Sequence, residues 1–236
     1  MKKNIGKSCP GAAVALSYNG QIILNKGYGL GDIENSIPVN KESVFEYGSI
    51  SKIFVWISLM QLVEEDKVSL DQDITQYLSK DFQKEWKPKS PITLRDIMNH
   101  TTGFGEYPFD LISQEPLKDM SLTKALLSSH PSQYLKPGTA SVYSNYATSL
   151  GALIVESISG QDYSQYVRDR ILSPLQMNTV ALDLDGQDNH LYLKKRFKDI
   201  KGKMVILLIL VGLMFPFIHL DLPMEKRKTW QNFLLP

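Results

Sequence analysis

Hydrophobic and polar positions alternate in two ways along this chain, and the change of period marks its elements. Ala12-Ala13-Val14-Ala15-Leu16-Ser17-Tyr18 and Gln21-Ile22-Ile23-Leu24-Asn25-Lys26-Gly27-Tyr28-Gly29 read as two strands. Asn19-Gly20 between them is the pair favoured in a two-residue hairpin turn. The polar stretch from Gly31 to Val44 predicts a loop. From Ser49 to about Asp66 the period becomes helical, with Ile53, Trp56, Met60 and Val63 at spacings of three and four. A turn and short helix follow over Leu70 to Leu78, then a helix over Thr93 to Asn99. There Thr93 is placed to cap and Asp96 completes a weak capping box. Residues 104–140 read as irregular, broken by Pro108, Pro116, Pro131 and Pro137, with one helix over Ser121 to Ser129. Ala147 to Ser159 predicts a helix ended by Gly160, and Tyr163 to Leu172 another that stops near Pro174.

Past residue 180 the pattern breaks. Lys194-Lys195-Arg196-Phe197-Lys198 is basic, and Met204 to Ile218 then runs without a charge. That run is slightly short of the roughly 18–20 apolar residues that span a bilayer. Leu220 and Leu222 extend it, and lysines on both sides could snorkel. The expectation is membrane association through 204–222, with a buried core helix or strand as the alternative. Basic flanks on both sides leave the orientation open. Met1 to Pro10 carries charge but no apolar run and does not read as a secretory leader.

Composition narrows the function classes. A chain of 236 residues with 43% hydrophobic content can build a packed core. A net charge of +1, with no long basic stripe before residue 194, gives no nucleic-acid footprint. Cys9 is the single cysteine, so neither an intrachain disulfide nor a cysteine-rich metal site is expected. The four histidines lack metal-ligand spacing, so no metal or other cofactor is expected.

The candidate chemistry begins at Ser49-Ile50-Ser51-Lys52, just after Gly48 and just before the apolar helical run. Residues i and i+3 share a helix face, so the Ser49 hydroxyl and the Lys52 ammonium would point into one cleft. The helix N-terminus would favour a developing alkoxide. Lys52 could act as a base if desolvated, or keep its charge and lower the pKa of its neighbours. Tyr143-Ser144-Asn145 comes later, before the helix at 147, and Asn99-His100-Thr101-Thr102-Gly103 lies between the two. If 143–145 is extended, Tyr143 and Asn145 point the same way. Asn145 could then present its amide to Lys52 and to a substrate.

These three landmarks together resemble the serine β-lactamase and penicillin-binding-protein superfamily, and within it the class C β-lactamase, D-Ala-D-Ala carboxypeptidase and esterase branch. The likeness runs from about Pro10 to about Met177. It implies an α+β fold in which an antiparallel sheet packs with a helical subdomain, here without the usual C-terminal strands. The implied division is a hydrolase domain over 10–180, a basic connector over 181–203, the apolar segment 204–222 and a tail over 223–236. The implied activity is acyl transfer through Ser49, with Lys52 and Tyr143 catalytic and Asn145 binding substrate. The substrates implied are small esters, amides, β-lactams or D-amino-acid peptides, and the expected partners are such molecules and no nucleic acid. The resemblance gives His100 a structural role and places the hydrolase domain outside the cytoplasm. Relatives carry a third motif on a late strand: Lys or His, then Thr or Ser, then Gly. Lys201-Gly202-Lys203 is its nearest counterpart here. The alternative is a catalytically impaired, membrane-associated, truncated relative with a binding role or none.

Overall fold

The computed structural model describes residues 5, 9–41, 43–45, 47–106, 120–182 and 206–211. The chain divides into two units: Met1–Tyr47 with Asn189–Pro236, and Gly48–Asp188.

The first unit is built on the predicted hairpin. Strand β1 (Gly11–Tyr18) pairs antiparallel with β2 (Gln21–Asp32). Asn19 and Gly20 both take positive φ, 48° and 75°, which a two-residue hairpin turn of this kind requires. The register slips at Leu16/Ser17, where a bulge absorbs one residue. β2 runs three residues past its predicted end, and the expected loop beyond it contains the short strand β3 (Ile37–Pro38). Asp32 closes the intervening turn by accepting from the backbone and side-chain amides of Asn35 at 3.0 and 2.7 Å. Strand β4 (Ile206–Val211) lies parallel to β1, giving the sheet order β3-β2-β1-β4. Part of the apolar segment expected at a membrane is thus strand, the alternative the sequence left open. Residues 204–205 and 212–222 lie outside the described residues, as do most of the basic connector, Lys201-Gly202-Lys203 and the tail. No helix among the described residues is long and apolar enough to cross a membrane. Cys9 is buried and free.

The second unit is helical. A 3₁₀ turn over Gly48–Ser51 leads into α1 (Lys52–Glu64), so the α-helix starts three residues later than expected. Its buried residues are Phe54, Val55, Ser58, Leu59, Met60 and Leu62. Ile53, expected on that face, is 51% exposed. Apolar residues surround α1 almost evenly, so periodicity alone could not mark the inward side. A second 3₁₀ turn, Ile74–Tyr77, is capped by Asp73. Helix α2 (Lys80–Glu85), not expected from the sequence, starts where Ser79 accepts from the Phe82 N–H at 3.2 Å.

Helix α3 (Leu94–Met98) carries a complete capping box: the Thr93 hydroxyl accepts from Asp96 N, and the Asp96 carboxylate accepts from Thr93 N. Helix α4 (Leu122–Ser128) falls where predicted. Helix α5 (Asn145–Ser159) starts two residues earlier than expected, because Ser144 caps it by accepting from Ala147 N at 3.1 Å. Gly160, at φ 70°, ends it in the left-handed region. Helix α6 (Tyr163–Val167) continues into a π-helical turn, Arg168–Leu172. The core lies where α1, α3, α4 and α6 pack around α5. Leu59, Met60, Ile97, Leu150 and Ile154 are fully buried there, each burial contributing about 1.5–3 kcal/mol.

One turn in this unit has no room for a side chain. Gly103 sits at φ 77°, and a Cβ built on it would lie 2.0 Å from the Leu135 carbonyl oxygen. The same turn receives hydrogen bonds from Tyr134 N and Leu135 N at the Gly103 carbonyl, 2.8 and 3.2 Å. Gly103→Ala is therefore expected to destabilise the protein by about 2–4 kcal/mol, combining left-handed strain with a backbone clash. A lowered urea midpoint would show this, and an unchanged midpoint would contradict it.

Candidate functional site

The predicted residues reach one place from three elements of the second unit. Ser49 is the second residue of the 3₁₀ turn before α1, and Lys52 is the first residue of α1. In a 3₁₀ turn, side chains three apart eclipse one another, so the late start of the α-helix keeps the pair together. Lys52 Nζ donates to Ser49 Oγ at 3.3 Å. Tyr143 comes from the segment before α5, and its hydroxyl donates to the same Oγ at 2.7 Å. Lys52 Nζ also lies 4.9 Å from the centre of the Tyr143 ring.

A turn after α3 carries Tyr143 to that position. His100 has a positive φ of 56°. Its carbonyl accepts from Val142 N at 2.7 Å, and the Thr101 carbonyl accepts from Gly138 N at 2.9 Å. The His100 ring lies 4.6 Å from the Tyr143 ring and edge-on to Trp56 at 5.9 Å. Its Nδ1 accepts from Ser144 N at 3.3 Å. His100 thus supports the tyrosine segment through the Ser144 amide and the Tyr143 ring. Gln133, buried, ties the next part of the turn down: Nε2 donates to the Thr102 carbonyl at 2.9 Å, and Oε1 accepts from Ser90 N at 2.8 Å.

Asn145 departs from expectation. The segment does not stay extended through 145, because Asn145 is the first residue of α5. Its side-chain Nδ2 donates to Glu106 Oε1 at 3.0 Å, and its backbone N to Glu106 Oε2 at 2.9 Å. One hydrogen of its Nδ2 group is thus held by Glu106, a partner the extended reading does not predict. Sequence reasoning passed over Glu106. A lone acidic residue at the edge of a proline-broken stretch has no spacing to single it out. Tyr146 behaves as core: it is buried, packs edge-on to Phe104 at 5.3 Å, and burial pushes its phenol well up.

The electrostatics favour ionisation at Tyr143. Burial raises its pKa, but the Lys52 ammonium and the hydrogen bond with Ser49 outweigh that and leave the phenol below its ordinary value. Glu106 acts in the opposite sense on the same phenol. Burial, helped by Lys52, lowers the pKa of His100 and favours the neutral imidazole. Among the described residues, no group of three or more His, Cys, Asp or Glu side chains could hold a metal ion.

Comparison with known proteins identifies the family of this chain. The family model described as Beta-lactamase matches residues 2–192. Protein flp of Staphylococcus aureus strain MW2 is 28% identical over 174 residues, covering 71% of this chain and 34% of that protein. Teichoic acid D-alanine hydrolase of Staphylococcus aureus is 27% identical over 199 residues, covering 83% of this chain and 46% of that protein. The octameric penicillin-binding protein homologue from Pyrococcus abyssi superposes with a TM-score of 0.68 at 23% identity, over 80% of this chain and 44% of that one. The chain thus spans between a third and a half of the length of these relatives.

Proposed function

The chain belongs to the Beta-lactamase family, and on that premise we propose that it is an acyl-serine hydrolase with Ser49 as nucleophile, Tyr143 as proton carrier and Lys52 as the cation that tunes both. One observation carries this reading: the Tyr143 hydroxyl and the Lys52 ammonium converge on the Ser49 hydroxyl at 2.7 and 3.3 Å.

The steps follow from that contact. An ionised Tyr143 takes the Ser49 proton as Oγ bonds to the substrate carbonyl carbon. Negative charge builds on the carbonyl oxygen at the positive N-terminal end of α1, which favours it. The bond to the leaving group then breaks, and Tyr143 returns its proton to the departing oxygen or nitrogen. Water next attacks the Ser49 ester, giving its proton to Tyr143. The bond from the acyl carbon to Oγ then breaks as Tyr143 passes that proton to Oγ, so the acid leaves and both the serine hydroxyl and the phenolate are restored.

One relative's name supports a substrate class: teichoic acid D-alanine hydrolase of Staphylococcus aureus. The proposed substrates are accordingly small esters and amides, D-alanyl esters foremost. An extracytoplasmic setting belongs to the same proposal and rests on family likeness.

The test is the acyl-enzyme itself. Incubation with a fluorophosphonate or a fluorescent penicillin should add one label per chain, found by mass spectrometry on the peptide that contains Ser49. A protein that takes no adduct from either probe, or takes it elsewhere, refutes the reading and favours a binding role.

A further inference from the structure

We propose that Glu106 is a positioning residue of the Ser49 site: its carboxylate grips the first turn of α5 through Asn145, and its charge acts on the phenol that contacts the nucleophile. The inference rests on the reading of Ser49 and Tyr143 above and adds a member that neither the motifs nor the resemblance contained.

The geometry comes first. Pairing of Phe104 with Gln133, and a bond from Gly105 N to the Ser132 carbonyl at 3.2 Å, hold the backbone just before Glu106. The half-buried carboxylate then uses both oxygens on one residue, Oε2 for Asn145 N and Oε1 for Asn145 Nδ2. Only a carboxylate offers two acceptors and no donor to such a pair. Asn145 N is one of the N–H groups that a helix start leaves without an internal partner, and negative charge is favoured there. Ser144 already serves Ala147 N, so Glu106 fixes the other side of the turn. Tyr143 lies two residues upstream, and where the helix starts decides where its hydroxyl ends.

The charge is the second part. Tyr143 is faced by Lys52 from α1, Ser49 from the 3₁₀ turn, the His100 ring from the turn after α3, and Glu106. Lys52 draws the phenol pKa down and Glu106 holds it up. A phenol that ionises too readily is a weak base, so this balance bears on proton transfer from serine.

Glu106→Gln keeps the shape, removes the charge and loses one acceptor. Two readouts in the full chain test it. In protein labelled with ¹³Cζ-tyrosine, assigned with Tyr143→Phe, the Tyr143 resonance of Glu106→Gln should titrate at lower pH than in the wild type. Glu106→Asp, which keeps the charge, should titrate close to the wild type. Acylation by the fluorophosphonate should fall about tenfold in Glu106→Gln, with its low-pH limb moved to lower pH. An unmoved phenol titration overturns the proposal, and so does an acylation rate within twofold of the wild type. If the wild type takes no adduct, the Ser49 reading fails and the tyrosine titration alone decides for or against Glu106.

Discussion

Ser49→Ala should abolish covalent labelling by both probes while leaving the protein folded. The nucleophile cannot be replaced by its neighbours. The nearby Ser51 hydroxyl donates to the Gly48 carbonyl at 2.6 Å, and Ser144 is buried as a helix cap. Removing the nucleophile of a serine hydrolase typically costs on the order of 10⁶ in rate, so the signal should fall to background. The fold should tolerate the change. Tyr143 is 47% exposed, so water can replace the bond its hydroxyl loses. A net loss of about 0.5–1.5 kcal/mol is the ordinary value for one hydrogen bond. Labelling retained in Ser49→Ala, with an unchanged urea midpoint, would move the chemistry off this residue altogether.

Tyr143→Phe and Lys52→Ala should each slow acylation more than tenfold, for different reasons that pH separates. Tyr143→Phe removes the proton carrier. In the wild type, acylation should rise with pH as the phenol ionises, with a midpoint below the ordinary phenol value, because Lys52 and Ser49 outweigh burial in lowering it. That rise should vanish in Tyr143→Phe. Lys52→Ala leaves the phenol in place but takes away the cation that lowers its pKa, so the rise should persist and move to higher pH. Part of the lost rate should therefore return as pH increases. A fall of less than twofold in both variants, measured as the second-order rate of fluorophosphonate labelling, would refute the roles assigned to the pair.

Local chemistry made much of this architecture readable. Asn19-Gly20 announces its hairpin because few other pairs accept two successive positive φ values. Thr93 and Asp96 announce the start of α3, and Gly160 the end of α5, because unsatisfied amides and carbonyls at helix ends demand particular partners. The spacing of Ser49 and Lys52 survives the replacement of the expected α-helical turn by a 3₁₀ turn, since both geometries bring i and i+3 together.

Other features were not readable, each for a physical reason. Ile53 was expected inside and is half exposed, because an evenly apolar helix does not declare which side its neighbours will cover. The aim of Asn145 depended on whether α5 began before or after it, and a capping serine one residue upstream decided that. The apolar run beyond 204 satisfies a membrane helix and a buried strand alike. Its residues 206–211 became a strand because β1 offered them a free edge, which composition cannot reveal.

The order of residues by itself determined the hairpin, the helix ends and the serine–lysine pair, because these depend on interactions between residues a few positions apart, and it carried the family in three landmarks spread from Ser49 to Asn145. Only the tertiary structure decided that Tyr143 reaches Ser49 across 94 positions of chain, that Asn145 turns to Glu106, and that a lone glutamate joins the site. Contacts at that separation are set by how helices pack and where turns are pinned, and a linear pattern of polar and apolar residues contains no record of either.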